Sequence, residues 1–198
     1  MAGQHGYRAG MRTDSPWPFW RVARVVASAI VLMAAAYFVV VAFDNITNPV
    51  NPSGSNWPFV KGVLGGQGTP ADNGFEWRFV NQTWFDVLAY IGIIVGETLA
   101  GVTLLIGGIL GLRRSRTAEQ WEPGQRWTFV GAFFGLMVFF FGFITVGGNW
   151  FIMYENAKWN GLSPAFQNTV TTLLAVVLVV GVAIGGRAAE RGSGTPSA

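Results

Sequence analysis

The chain has 198 residues, is 51% hydrophobic and only 12% charged, against roughly 25% charged in a typical soluble domain. It has no Cys, and its single His, His5, lies in a polar leader. Disulfides, thiolate catalysis, cysteine-ligated metals, a bis-histidine haem and a buried His-based zinc site within one chain are therefore excluded. The net charge of +3 comes with no basic stripe or nucleic-acid motif, so the basic residues report membrane topology and nucleic acid is not an expected partner.

Residues 1–15 are polar and predict a disordered tail. The first span covers about Trp20 to Phe43. Its full spanning length and long leader favour an uncleaved helix over a signal peptide. The connection 44–84 follows, too long for a turn and too aromatic for a flexible linker. Its Asn45-Ile-Thr-Asn-Pro-Val-Asn-Pro stretch suggests tight turns. Trp57–Leu64 predicts a short interfacial helix with Pro58 near its first turn. Asp72–Val80 predicts a second, capped by Asp72 or Asn73.

The second span runs from about Phe85 to Leu112, and a short charged connection, Arg113 to Arg126, leads to the third, about Trp127 to Val146. The second outer connection, 147–164, is aromatic and polar; Gly161 suits a helix stop, and Ser163-Pro164 suits the start of the fourth span, about Ala165 to Gly186. Residues 192–198 predict a second disordered tail. The fold class is thus an all-α membrane protein: one four-transmembrane-helix bundle over 16–191, with the two outer connections packed together as a lid.

Ten Arg residues (8, 12, 21, 24, 113, 114, 116, 126, 187 and 191) fall on one side of these spans; Lys61, Arg78 and Lys158 fall on the other. The positive-inside rule then places both termini in the cytoplasm. All nine tryptophans border the spans, as residues of an aromatic belt do. Trp17, Trp20, Trp121 and Trp127 lie inside; Trp57, Trp77, Trp84, Trp150 and Trp159 lie outside.

Glu97 is the one ionisable side chain deep within a span. An intramembrane carboxyl marks a functional or partner-contacting position by default. It adjoins a row of small residues, Gly92, Gly96, Ala100 and Thr103, which favours close helix approach. Gly131/Gly135 and Gly181/Gly185 repeat that spacing. At 1.5 Å per residue, Glu97 falls roughly 18 Å below the outer end of its span. Ser28 is the one polar residue at the same depth in the other spans. The carboxyl is therefore expected to be neutral and bonded to Ser28 or a backbone carbonyl, or to meet a group on another subunit or ligand.

The outer acids Asp44, Asp72, Glu76, Asp86 and Glu155 show no calcium-loop pattern. They are read as caps and surface partners of Lys61, Arg78 and Lys158. Thr169, Thr171 and Thr172 either line a polar cavity or, more usually, bond back to their own helix. No P-loop, dinucleotide fingerprint, nucleophile elbow or metalloprotease motif occurs, so no cofactor is expected.

The ordered motifs Asn45-x-Thr-Asn48, Ser55-Asn-Trp-Pro-Phe-Val-Lys-Gly-Val-Leu64, Asp72-Asn73, Trp77-Arg78, Tyr90-x6-Glu97-x2-Ala100, Gly147-Gly-Asn-Trp-Phe-x-Met-Tyr, Lys158-Trp-Asn-Gly161 and Ala165-Phe166 resemble a bacterial family of predicted small integral membrane proteins, the domain of unknown function 2165 family. The resemblance covers about Phe43 to Val177 and implies a four-span protein of the bacterial cytoplasmic (inner) membrane with the intramembrane Glu. It implies no activity. The chain departs from the pattern at Gly65-Gly66, Phe85-Asp86 and Asn149. The candidate intramembrane site is Glu97, Ser28, Gly96 and Ala100; the candidate lid residues are Asn45, Asn56, Trp77, Arg78, Trp150, Trp159 and Asn160. The expected function is a non-enzymatic accessory, scaffold or partner-binding subunit, with the lipid bilayer and another membrane-protein subunit as partners. The alternative is a small proton- or cation-coupled transporter using Glu97.

Overall fold

The structure, a computed structural model, describes residues 18–47 and 56–193. The two tails up to residue 17 and from residue 194, and the turn stretch 48–55, lie outside the described residues. Among the described residues four helices are long and apolar enough to cross a membrane: Phe19–Thr47, Thr83–Arg113, Ala118–Trp150 and Leu162–Gly192. The elements are α1 (Phe19–Thr47), α2 (Asn56–Leu64), α3 (Thr83–Arg113), α4 (Ala118–Leu136, continued by a π-helical segment Met137–Trp150) and α5 (Leu162–Ser193). Every helix is longer than its predicted span because the flanking polar turns stay helical. Lipid satisfies no backbone group, so a helix that closes its own ladder is the favoured way across.

The four long helices form an up-down bundle. α3 packs between α1 and α4, and α5 closes the ring between α4 and α1. Glycines set the approach of α1 to α3. A Cβ on Gly101 would lie 2.9 Å from Val39 Cγ2, and one on Gly108 would lie 2.5 Å from Leu32. Gly107 and Gly124 bring α3 and α4 into backbone contact; a Cβ on Gly107 would lie 3.0 Å from Gly124 O and 2.8 Å from Thr128 N. These are the small-residue contacts that drive helix association where lipid supplies no hydrophobic contrast. Gly131 and Gly135 also pack closely, against Leu104 and Phe38, and Gly185 packs under Trp20. Gly92 and Gly181 meet no atom within 4 Å, so they are not packing contacts. The main core runs through Ala27, Val31, Ala35, Phe38, Ala100 and Leu104. Outward residues such as Met33, Val40, Leu88, Phe133 and Val177 are exposed apolar side chains that suit a lipid surround.

At the basic end the loop between α3 and α4 is held from below. Arg24 of α1, only 1% exposed, donates to Ser115 O at 3.4 Å and Arg116 O at 3.0 Å and pairs with Glu190 of α5. Glu190 also accepts from Ala118 N at the start of α4. Trp121 is 2% exposed and donates Nε1 to Ser28 Oγ at 3.0 Å. It is a core residue rather than a member of an aromatic belt, because the Gly111 backbone leaves room for its indole.

At the opposite end the two connections pack on one another as a lid. Ala157 N donates to Gly68 O, Asn156 Nδ2 donates to Gln67 O at 2.9 Å, and Phe59 of α2 meets Trp159 edge-on. The expected helix over Asp72–Val80 does not form; only a 3-10 turn, Glu76–Arg78, is present. Asp72 and Gly74 take positive φ, +61° and +77°, which breaks a right-handed helix. Asn73 Oδ1 instead accepts from Phe75 N at 2.7 Å, an Asx turn. Gly161 does not end a helix; its carbonyl accepts the first bond of α5, from Ala165 N. Asn160 Oδ1 accepts from Leu162 N at 3.1 Å, so the capping group comes from Asn160 rather than Ser163.

Candidate functional site

Asn45 lies in the last turn of α1, is 2% exposed, and donates Nδ2 to Glu97 Oε2 at 2.6 Å. It is helical, not part of a turn as its Asn-rich neighbourhood suggests. Its side-chain oxygen accepts from Asn56 Nδ2 of α2, and its backbone carbonyl accepts from the Tyr90 hydroxyl at 2.8 Å. One relay therefore joins the lid helix, the end of α1 and the middle of α3. Glu97 itself is 2% exposed. Its Oε1 makes no hydrogen bond to any described residue.

Ser28 is not its partner. Ser28 sits near the basic end, where its Oγ donates to Arg24 O at 2.7 Å and accepts from Trp121. The depth count places it wrongly because α1 and α3 do not end at one level. Gly101 stands opposite Val39 and Gly108 opposite Leu32. Following that register outward puts Glu97 opposite Phe43, close to the end of α1 at Thr47. The outer end of α3 rises roughly 15 Å beyond α1 at 1.5 Å per residue, and α2 packs against that overhang through Val60, Val63 and Tyr90.

A cavity of about 310 Å³ is lined by the residues of this relay. Its polar lining is Tyr37, Asn45, Asn56, Tyr90, Glu97, Asn160 and Asn168; Phe59, Phe139 and Phe143 supply aromatic walls. Glu97 is the one carboxyl in this lining, which contains no Lys or Arg. The helices present these groups as stripes. Tyr37, Val41 and Asn45 follow i, i+4, i+8 on α1, and Tyr90, Ile93 and Glu97 follow i, i+3, i+7 on α3. Tyr37, Tyr90 and Asn168 are missed by a search for isolated charges, but those spacings mark the two tyrosines.

Of the other sequence-derived candidates, Gly96 faces Val138, and Ala100 is fully buried in the core. Asn160 joins the cavity, while Trp159 packs over Gly62 of α2 and carries Lys158 Nζ 4.7 Å from its ring. Trp77, Arg78 and Trp150 form a separate outer cluster. The two indoles meet edge-on at 5.7 Å, and the Arg78 guanidinium lies over Phe75 and both indoles. Thr169, Thr171 and Thr172 each bond back to their own helix. Asp86 is not a surface group: it is 3% exposed, with Oδ1 lacking a hydrogen-bond partner and Lys61 close enough to act on it electrostatically. Asp72 and Asn73 shape a turn rather than cap a helix. The ion pairs Arg24–Glu190, Arg126–Glu122 and Arg187–Glu122 all lie at the basic end.

The wall shared by the cavity and the bundle is the π-helical segment. Thr145 Oγ1 and Asn149 Nδ2 both reach carbonyls five residues back, Phe140 O and Ile144 O, at 3.1 Å. Such winding is rare outside short bulges and accompanies functional sites; here it positions Phe139 and Phe143 on the cavity.

The four apolar helices agree with the match of residues 23–181 to a family described as predicted small integral membrane proteins. The chain belongs to the domain of unknown function 2165 family. No curated protein and no solved structure matches it. Within this family member, the segments that carry the resemblance supply Asn45, Asn56, Tyr90, Glu97 and Asn160, the residues that meet in the cavity.

Proposed function

We propose that the protein is a non-enzymatic binding module of the bacterial cytoplasmic membrane, which takes hold of a ligand or partner subunit at the outer cavity around Glu97. The observation that carries this reading is the Glu97 carboxyl, whose Oε1 bonds to no described residue, in a lidded space lined by amides, phenols and aromatic rings. A few fixed polar groups in a largely apolar cavity are how ligand sites are built. Acid–base catalysis needs convergent titrating groups, and Glu97 is the one carboxyl in this lining. The basic end belongs in the cytoplasm because ten of thirteen basic residues lie there.

A carrier reading needs a polar route past Glu97. Between Glu97 and the basic end the bundle is filled by Ala35, Phe38, Ala100 and Leu104. Thr103 and Thr128 there bond back to their own helices. That packing favours binding over passage. The test is purification of the wild type and Glu97→Gln in mild detergent, with melting as a fold control. Loss of a bound species in a folded Glu97→Gln supports the module. Unchanged binding together with loss of proton-coupled uptake in proteoliposomes would sink it in favour of a carrier.

A further inference from the structure

A second space adjoins the cavity. It is an apolar groove of about 470 Å³ between α3, α4 with its π-helical segment, and α2. No charged residue lines it, and its lining includes Val95, Leu99, Phe133 and Met137, outward-facing residues of α3 and α4. Gly92 and Gly96 deepen it; a Cβ on Gly92 would meet nothing within 4 Å. Phe59, Val60, Ile93 and Phe143 border both the groove and the Glu97 cavity. The partition is therefore one residue thick. Its centre is the stacked pair Phe59 and Phe143, ring centroids 5.8 Å apart, one ring on the lid helix and the other on the π-helical wall.

We propose that the two spaces form one site for an aminophospholipid, with an acyl chain in the groove, the ammonium head on Glu97, and the Phe59–Phe143 pair as the side gate between them. This rests on the binding-module reading and names its ligand. A groove opening toward the bilayer and lined by apolar side chains suits a chain that arrives from the bilayer. The cavity suits an ammonium for three reasons. Its one carboxyl has an oxygen that bonds to no described residue. Aromatic faces attract a desolvated cation. No Lys or Arg lines the space to repel one. An anionic head would find no counter-charge in that lining.

The test uses the full chain in nanodiscs containing phosphatidylethanolamine and phosphatidylglycerol in equal amounts, followed by native mass spectrometry of retained lipid. The wild type is expected to retain phosphatidylethanolamine about tenfold over phosphatidylglycerol, the factor one charge-assisted hydrogen bond supplies. Glu97→Gln removes that preference while some lipid remains. Gly92→Leu fills the groove and, in protein that still melts cooperatively, loses retained lipid of both kinds, whereas the smaller Gly92→Ala, melting no lower than the wild type, leaves room for lipid. Equal retention by Gly92→Leu overturns the groove assignment, and so does binding of chain-free glycerophosphoethanolamine as tight as that of the lipid. A wild type without head preference overturns the ammonium assignment. If Glu97→Gln still loses some other bound species, the lipid inference alone has failed and the module stands. If a second protein chain occupies the groove and excludes lipid, the proposal falls as well.

Discussion

Asn45 and Glu97 lie 52 residues apart in sequence and share a 2.6 Å hydrogen bond between the end of one helix and the middle of another. The same Asn45 accepts from Asn56 of the lid, so the bond ties the lid to the bundle. Asn45→Ala leaves Glu97 Oε2 buried without its donor, a loss of about 1–3 kcal/mol. In a chain of this size each kcal/mol lowers Tm by about 2–4 °C. Asn45→Asp is expected to be worse, since two carboxyl groups then face each other and the donor is gone. Glu97→Gln keeps an amide oxygen in place to accept from Asn45, so its melting in detergent should stay near that of the wild type. Equal melting of Asn45→Asp and the wild type would show that this bond does not hold the lid.

Gly107 and Gly92 are both on α3, yet they should respond oppositely to an added side chain. Gly107→Val drives a branched group into Thr128 N and Gly124 O, where even a Cβ would lie within about 3 Å. Overpacking of this kind costs about 1–3 kcal/mol, and more where backbone must move. Gly92→Ala enters open space and gains helix propensity of up to ~1 kcal/mol. Thermal melts of the two variants in one detergent should bracket the wild type.

Arg24 anchors the basic end through two carbonyls and Glu190. Arg24→Met is expected to free the loop at Ser115 and Arg116, and limited proteolysis there should quicken at least severalfold. Glu190→Gln should do less. Its side chain is 41% exposed, which weakens the ionic part of the pair, and an amide oxygen still accepts from Ala118 N. Arg24→Lys should resemble Arg24→Met, because an ammonium lacks the planar fork that reaches carbonyls and carboxylate together.

Composition and hydropathy suffice for the four spans, because bilayer thickness imposes a length that any helix must meet. The site was half legible. Glu97 stands out as a lone intramembrane acid, and Asn45, Asn56 and Asn160 fall in segments with recognisable motifs. Their convergence is not legible, because a depth count from equal span ends misses the overshoot of α3 beyond α1. That offset moves the partner of Glu97 from Ser28 to Asn45. Arg24, counted as a topology charge, is a buried anchor; only the tertiary fold brings Ser115 and Glu190 to it. The π-helical winding of Met137–Trp150 has no periodic signature in a stretch so uniformly apolar.

The orientation inferred from the Arg distribution has a direct readout. The chain contains no Cys, so each introduced thiol reports alone. Ala71 lies exposed on the lid, and Gln120 lies exposed in the first turn of α4 at the basic end. With the basic end in the cytoplasm, a membrane-impermeant maleimide added to intact cells should label Ala71→Cys and spare Gln120→Cys. Permeabilised cells should label both. The reverse pattern would place the lid and Glu97 cavity on the cytoplasmic side, against the positive-inside rule. Labelling of Ala71→Cys also tests the lid itself. This residue precedes Asp72 and Gly74, whose left-handed backbone forms an exposed turn, so its thiol should react as fast as a free surface thiol, whereas one introduced at Ile152, buried within the lid at 1% exposure, should react far more slowly under the same conditions.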